Sequence, residues 1–337
     1  MTLPALAPLR SPLRRRCILG IAAAAAWSPG LGAQAKVRRV GFLSPRSRPP
    51  ALAKDYYGAF PRRMAELGYV LDRDLVIEWR FADGDYDRLP GMANDLVKSR
   101  VDVILALGPP GALAAQKATS TIPIVFVVSA DPVANGLVRS MSKPGGNVTG
   151  IFNLAGDLSA KQLEVLASCV PKLARAAMLV NPANPANLDA YKGLGPAAKR
   201  MGIEILPMRA QTVEGIDAAF SAMARERPGA IIVALDPLFI QQLPQIASLA
   251  AKHRLPSIFA NREFAEVGGL ISYGQNQVEI YERAAGYVDR IFRGARPADM
   301  PVEQPTKLEL VVNRATSRAI GIDLPRELLV RADTIID

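Results

Sequence analysis

The sequence is poor in the residues that most metal and redox chemistry requires. It holds one histidine, His253, and two cysteines, Cys17 and Cys169. Cys17 falls in a stretch read below as a leader, which leaves Cys169 alone. That excludes an intrachain disulfide and a Cys/His metal centre, which takes about four ligands. In LEVLASCVPKL, Cys169 reads as a small apolar residue at a helix end. In LAAKHRLP, His253 reads as a last-turn residue favoured by the helix dipole, and not as a base. Charged residues are only 21% of the chain. Lys and Arg are scattered among acids, with no basic run and no basic–aromatic interleaving, so no nucleic-acid partner is expected. No G-x-G-x-x-G follows the first strand, and P-loop and G-x-S-x-G motifs are missing. The expected protein is therefore not an enzyme and carries no cofactor.

What is present is apolar. Half of the 337 residues are hydrophobic, enough to cover buried parallel sheets in two domains of ordinary size. Residues 1–35 read as an export signal. Arg14-Arg15-Arg16 supply the positive region, Cys17 to Trp27 a short apolar region, and Ala33-Gln34-Ala35 a small-x-small cleavage site. The apolar run is too short to span a bilayer comfortably. Arg15-Arg16 also resembles a twin-arginine pattern, which leaves the export route open. Removing the leader takes away four arginines and no acid, and lowers the formal charge from +10 to +6. The expected location is periplasmic, with Lys36 as the mature start.

From Val37 onward strands and helices alternate. Val37–Leu43, Leu75–Phe81, Val101–Leu107 and Ile122–Val128 read as strands, with helices over Tyr56–Leu67, Leu89–Lys98 and Ala112–Ala118. A short helix is expected over Val133–Met141. Beyond Gly150 the rhythm restarts: strands Ala176–Val180, Ile203–Met208, Ala230–Leu235, Ser257–Ala260 and Gly269–Tyr273 alternate with helices. Gln275–Phe292 is a long amphipathic helix. Lys307–Val312 is a last strand and Arg314–Ile320 a last helix, followed by a short tail. This pattern predicts an α/β fold of two doubly wound, Rossmann-like lobes. The lobes are expected at 36–149 plus 274–303 and at 150–273 plus 304–337. Three hinge crossings, Asn147–Ile151, Ser272–Gln275 and Met300–Thr306, join them.

Three strand ends share one design: VVSADP, MLVNP and IVALDP. Each is an apolar strand followed by Asp or Asn and then Pro, which fits a helix N-cap with Pro at the first helical position. Such ends also lie where open α/β sheets bind ligands, so plain capping and cleft lining both remain open for each.

Longer runs carry a resemblance. GFLSP, FADGDYDRLPGMANDLV, TSTIPIVFVVSADPVANGLVRSMSKPGGNVTG, LVNPANP, EFAEVGGLISYG, AAGYVDRIFRGARPADMPVEQPTKLELVVN and the closing RADTIID resemble the ABC-transporter substrate-binding family that includes tryptophan-binding proteins. The resemblance covers residues 38–337. It implies a type I periplasmic binding fold that captures a small polar or amino-acid-like ligand between its lobes and passes it to a membrane permease of an ABC importer. The alternatives are a ligand sensor with the same fold that signals to a membrane receptor and, after it, an α/β enzyme. A repressor of this fold would carry a DNA-binding helix pair where the leader stands. The protein is expected to act as a monomer.

Carried onto this chain, the ligand contacts implied in the first lobe are Ser44, Gly108, Pro109, Pro110, Ser129 and Asp131. In the second they are Asn153, Asn181, Asp236, Asn261 and Tyr273. Gly108–Gly111 would let backbone N–H groups approach a carboxylate. Asp131 or Asp236 would pair with an ammonium group, and Phe42, Phe152 and Tyr273 would wall an apolar side chain. Relatives often have Gly-Thr-Pro where this chain has Gly108-Pro109-Pro110, so that hydroxyl is missing here.

Overall fold

Parallel strands covered on both faces by helices must be apolar throughout, and the runs VILAL and IVFVV are. The computed structural model describes residues 1–2, 37–128, 130–152 and 155–337. The expected leader, apart from Met1 and Thr2, lies outside the described residues, as do Ser129 and Asn153.

The first five strands are β1 (Arg38–Ser44), β2 (Leu75–Phe81), β3 (Val103–Leu107), β4 (Ile124–Val128) and β5 (Val148–Phe152). They form a wholly parallel sheet of order β2-β1-β3-β4-β5. Helices α1 (Ala59–Glu66), α2 (Leu89–Lys98) and α3 (Gly108–Ala118) connect them. The second half contains α4 (Ala155–Cys169), β6 (Arg175–Val180), α5 (Pro185–Met201), β7 (Glu204–Arg209), α6 (Val213–Glu226) and β8 (Ala230–Val233). It continues with α7 (Pro237–Gln241), α8 (Leu243–Lys252), β9 (Ser257–Phe259), α9 (Arg262–Glu266) and β10 (Ile271–Gly274). After α10 (Gln277–Phe292) come β11 (Glu309–Asn313), α11 (Arg314–Ile320), α12 (Arg326–Arg331) and β12 (Thr334–Ile336). The second sheet runs β12-β11-β10-β9-β8-β6-β7, and its one antiparallel pair is β10 with β11.

Four apolar clusters lie one on each face of the two sheets. Phe42, Phe60, Phe126, Phe220 and Phe259 are all fully enclosed, each stabilising the fold by about 2–3 kcal/mol of burial. Helix α10 packs on α1 and so belongs with the first sheet, although it follows β10 of the second. The architecture is two Rossmann-like lobes.

Several local expectations are corrected. The helix over Val133–Met141 is a run of turns. Gly136 takes a positive φ of 69°, and the N–H groups of Leu137 and Val138 both return to the Pro132 carbonyl. One turn closes and no helix propagates. The tail is ordered: α12 is followed by β12, which pairs with β11, and the Asp333 carboxylate accepts the Leu310 N–H at 2.8 Å. Two of the three expected crossings fall inside strands. Residues 148–152 are β5, so the first sheet runs past the boundary expected at residue 149. Residues 272–274 lie in β10, whose neighbour comes so close that a Cβ on Gly274 would sit 2.1 Å from the Ala260 carbonyl oxygen. Glycine-interrupted segments read as connections, and the crossing expected at Ser272–Gln275 overlaps the end of the strand expected over Gly269–Tyr273. The third segment, Met300–Thr306, is extended and touches the outer edge of β5. There Phe152 N donates to Glu303 O and Glu303 N to Gly150 O, both at 3.0 Å.

Candidate functional site

The carboxyl ends of both parallel sheets open on one cavity of about 640 Å³, measured out to its mouth. The first sheet contributes the segment after β1 (Pro45, Arg46), the β3–α3 junction (Leu107, Gly108, Pro109) and the ends of β4 and β5 (Val127, Val128, Ile151, Phe152). The second contributes Asn184 at the start of α5, Leu235, Asp236 and Pro237 after β8, and Ile240 on α7. Gln275, Gln277, Ile280 and Tyr281, at and beyond the entry to α10, complete the wall. The lining is mainly apolar with a few polar groups at its margins, the usual character of a small-molecule site.

One margin is a buried arginine in an aromatic cage. The Arg46 guanidinium carbon lies 4.9 Å from the ring centres of both Tyr56 and Tyr57. Its Nη1 donates to the Tyr56 hydroxyl, and its Nη2 pairs with Asp55 at 3.3 Å. Tyr57 meets the Ser44 hydroxyl at 3.0 Å. Tyr281 stacks on Tyr56, with ring centres 5.5 Å apart. Burial pushes the hydroxyls of Tyr56, Tyr57 and Tyr281 up, so all three stay neutral donors. Arg46 stays a cation at any physiological pH.

The other margin is a carboxylate with a full set of donors. Asp236 follows β8, caps α7, and has no exposed surface. Its Oδ1 accepts from Asn181 Nδ2 at 3.1 Å and from Leu238 N at 3.0 Å. Its Oδ2 accepts from Asn184 Nδ2 at 2.8 Å and from the Tyr86 hydroxyl at 3.0 Å. Burial pushes this carboxyl up against the opposing pull of Asn184, Asn181, Leu238 N and Tyr86. Tyr86 belongs to the first lobe and Asp236 to the second, so their bond spans the cleft. Gln241 on α7 makes a second spanning bond, donating to the Ser47 hydroxyl at 2.7 Å.

Among the residues expected from sequence, Gly108, Pro109 and Asp236 line the cavity directly. Ser44 and Asn181 stand one layer behind it, orienting Tyr57 and Asp236. Asn261 follows β9 and is completely buried. Three others lie off the wall. Pro110 continues into α3. The Asp131 carboxylate is taken up by its own turn, accepting from Val133 N at 2.8 Å and Ala134 N at 3.2 Å. The Tyr273 ring packs against the core of the second sheet. Of the aromatic residues expected to wall a side chain, Phe152 does so, and Phe42 lies beneath Tyr57 with ring centres 5.1 Å apart.

Arg46, Tyr56, Tyr57, Tyr86, Asn184, Ile240, Gln277 and Tyr281 do not stand out in the sequence. The run Asp55-Tyr56-Tyr57 after the first strand is one available signal. The threefold spacing of Asn181, Asn184 and Asn187 in NPANPAN is another, since all three amides serve the Asp236 loop.

Two lobes with a cavity between their sheets' carboxyl ends define a protein of the type I periplasmic binding fold. The family model for ABC transporter substrate binding proteins matches residues 48–336, and the chain belongs to that family. The chain is 26% identical over 274 residues to a tyrosine-binding protein of Clostridioides difficile, covering 81% of this chain and 78% of that one. It is similar to a conserved domain protein from Vibrio cholerae, with a TM-score of 0.82, 26% identity, and coverage of 89% and 100% of the two chains. A TM-score of 0.81 at 24% identity relates it to an ABC domain from Streptococcus pneumonia in complex with L-Trp, over 89% of this chain and 99% of that one. A substrate binding protein with adhesive properties from Clostridium difficile, in its ligand-free, open structure, gives 0.63 at 25% identity, again over 89% and 99%.

Proposed function

We propose that this protein is the extracytoplasmic solute-binding component of an ABC importer. It captures a small amino-acid-like solute with an apolar body and presents the closed form to a membrane permease. The observation that carries this reading is the cavity itself, walled by the strand ends of both sheets and lined mainly by apolar side chains. The lobes are proposed to be residues 37–152 with 275–303, and 155–274 with 304–337. The chain passages between them at Gly274–Gln277 and over Met300–Thr306 serve as hinges.

Two further observations support a closed arrangement. The Tyr86–Asp236 and Gln241–Ser47 bonds hold the lobes together across the cleft. The chain also superposes better on the tryptophan-bound relative than on the open, ligand-free one, 0.81 against 0.63. Residues 1–35 act as the export signal in this reading, and the delivered protein is a periplasmic monomer. Contacts summing to about 8 kcal/mol would give micromolar affinity.

The test is a thermal-shift screen of the purified protein against amino acids, nucleosides, sugars and carboxylates, followed by titration calorimetry. A ligand that binds only the native form raises the melting temperature. At least one solute is expected to do so and to lose affinity when Ile240→Trp fills the cavity. A screen in which no solute shifts the melting temperature overturns the reading.

A further inference from the structure

Buried polar atoms in native proteins nearly always find a partner, and each exception asks for an explanation. Among the described residues, six enclosed side-chain atoms have none: Arg39 Nε, Arg46 Nε, Gln245 Oε1, Asn261 Nδ2, Asn261 Oδ1 and Glu263 Oε2. Four of the six belong to three residues, Arg46 on the cavity wall and Asn261 and Glu263 at the junction of β9 and α9. Asn261 is the extreme case, fully buried with both ends of its amide unspent and no capping bond to α9.

The sheet register puts Asn261 beside the cavity. β9 pairs with β8 through Ile258 and Ile232, and with β10 through Ile258 and Ile271. Carried forward three residues, Asn261 is level with Leu235 on one side and Gly274 on the other. Leu235, Asp236 and Gln275, at those same strand ends, line the cavity. Glu263 stands two residues on. It lies in the first turn of α9, with its Oε2 enclosed and unpartnered. Arg46 itself lines the cavity, with its two Nη atoms engaged and Nε left over.

The leftover atoms form a set. Arg46 Nε and Asn261 Nδ2 are donors, and Asn261 Oδ1 and Glu263 Oε2 are acceptors. A carboxylate alone would satisfy only the first two, and an ammonium only the last two. We infer, building on the solute-binding reading above, that Arg46, Asn261 and Glu263 form the head-group subsite for an α-amino acid. The carboxylate is held by Arg46 and the Asn261 amide N–H, and the ammonium by Glu263 and the Asn261 carbonyl. Neither acid suggested by the strand-end pattern is placed to hold the ammonium. Asp131 lies off the cavity wall, with its Oδ1 accepting from two turn N–H groups, and all four lone-pair positions of Asp236 are occupied by protein donors. The amino-acid side chain then points to the apolar wall of Val127, Ile151, Phe152 and Ile240.

The experiment is titration calorimetry of the full chain with L-phenylalanine, L-tyrosine, L-tryptophan and L-leucine. Each is paired with its desamino acid and its decarboxylated amine, and sugars and nucleosides serve as a second panel. At least one amino acid is expected to bind, with both of its analogues weaker by roughly a hundredfold or more, since a site built to pair polar groups rejects a ligand lacking them. Glu263→Gln and Asn261→Ala are each expected to weaken that amino acid by about tenfold or more. Neither should lower the melting temperature of the ligand-free protein, because each removes atoms that have no partner there. A purely structural role would lower it. A desamino acid that binds as tightly as its amino acid, or either variant retaining wild-type affinity, overturns the assignment. Binding of a sugar or nucleoside with no amino acid bound overturns the head-group subsite and leaves the solute-binding reading standing. No binding at all overturns both.

Discussion

Asp236 and Glu263 are both acids of the second lobe, following the neighbouring strands β8 and β9, yet they are opposites. Asp236 is fully enclosed and accepts four hydrogen bonds. Glu263 is partly covered, and its Oε2 is enclosed and accepts none. The first arrangement is finished within the protein and holds it together. The second is unfinished, and so has something to offer a ligand. Burial raises the pKa of both carboxyls, so a raised pKa alone does not separate structural from binding acids. The count of committed donors does.

The largest effect expected from this contrast is that of Asp236→Ala. It strands the amides of Asn181 and Asn184, the Tyr86 hydroxyl and the Leu238 N–H. We expect a loss of about 3–5 kcal/mol in denaturant unfolding, the scale for breaking a buried charged network. A loss below about 1 kcal/mol would erase the contrast. Tyr86→Phe comes next. It removes only the one Asp236 donor that comes from the first lobe, so the folded lobes should be nearly as stable while the closed form is disfavoured by about 1–2 kcal/mol. Calorimetry should then show ligand affinity roughly five- to thirtyfold weaker, and scattering should show a more open ligand-free ensemble.

Glu263→Gln sharpens the contrast through pH. Burial holds the Glu263 carboxyl above its unfolded value of about 4.3, with Glu266 and Asp55 adding to that shift and Arg46 opposing it. As pH rises through the window between the unfolded and folded values, the unfolded chain has released a proton that the folded protein keeps. Stability therefore falls across that window, and the loss is complete above the folded value. The glutamine variant lacks this loss. Its melting temperature should match wild type near about pH 4 and exceed it increasingly as pH climbs, and a gap that narrows instead would contradict the placement. The smallest effect is that of Asp131→Asn. Asn caps about as well as Asp, and the carboxylate serves only its own turn, so melting temperature should stay within about 2 °C and affinity within about twofold.

The alternation of apolar strands and amphipathic helices made the two Rossmann-like lobes legible, because a buried parallel strand has to be apolar and continuous. The site was legible only where it is built by strand ends. Gly108, Pro109 and Asp236 follow strands and are visible in the pattern. Arg46 and Tyr281 are brought together by α10 returning from the second sheet to pack on α1 of the first, a pairing that no local pattern encodes. Tyr86 sits in a short 3₁₀ segment after β2, and only the meeting of the lobes reveals its partner. Asp131 shows the opposite failure. Its motif matches that of Asp236, but Gly136 closes its chain into turns and takes the carboxylate out of the cleft.

The extended segment Met300–Thr306 has a consequence for the protein's life before it folds. β5 is the last strand of its sheet, with the sequence VTGIF and every residue buried. An apolar strand with an open edge is a template for pairing with other chains. Here that edge is occupied by the returning chain through the paired bonds of Glu303 with Phe152 and Gly150. Because the covering segment comes about 150 residues later in the chain than the strand it covers, a partly folded molecule exposes VTGIF until the second sheet is nearly complete. Aggregation risk is therefore concentrated in incomplete or truncated chains, and sealing that edge is among the last steps to a soluble molecule.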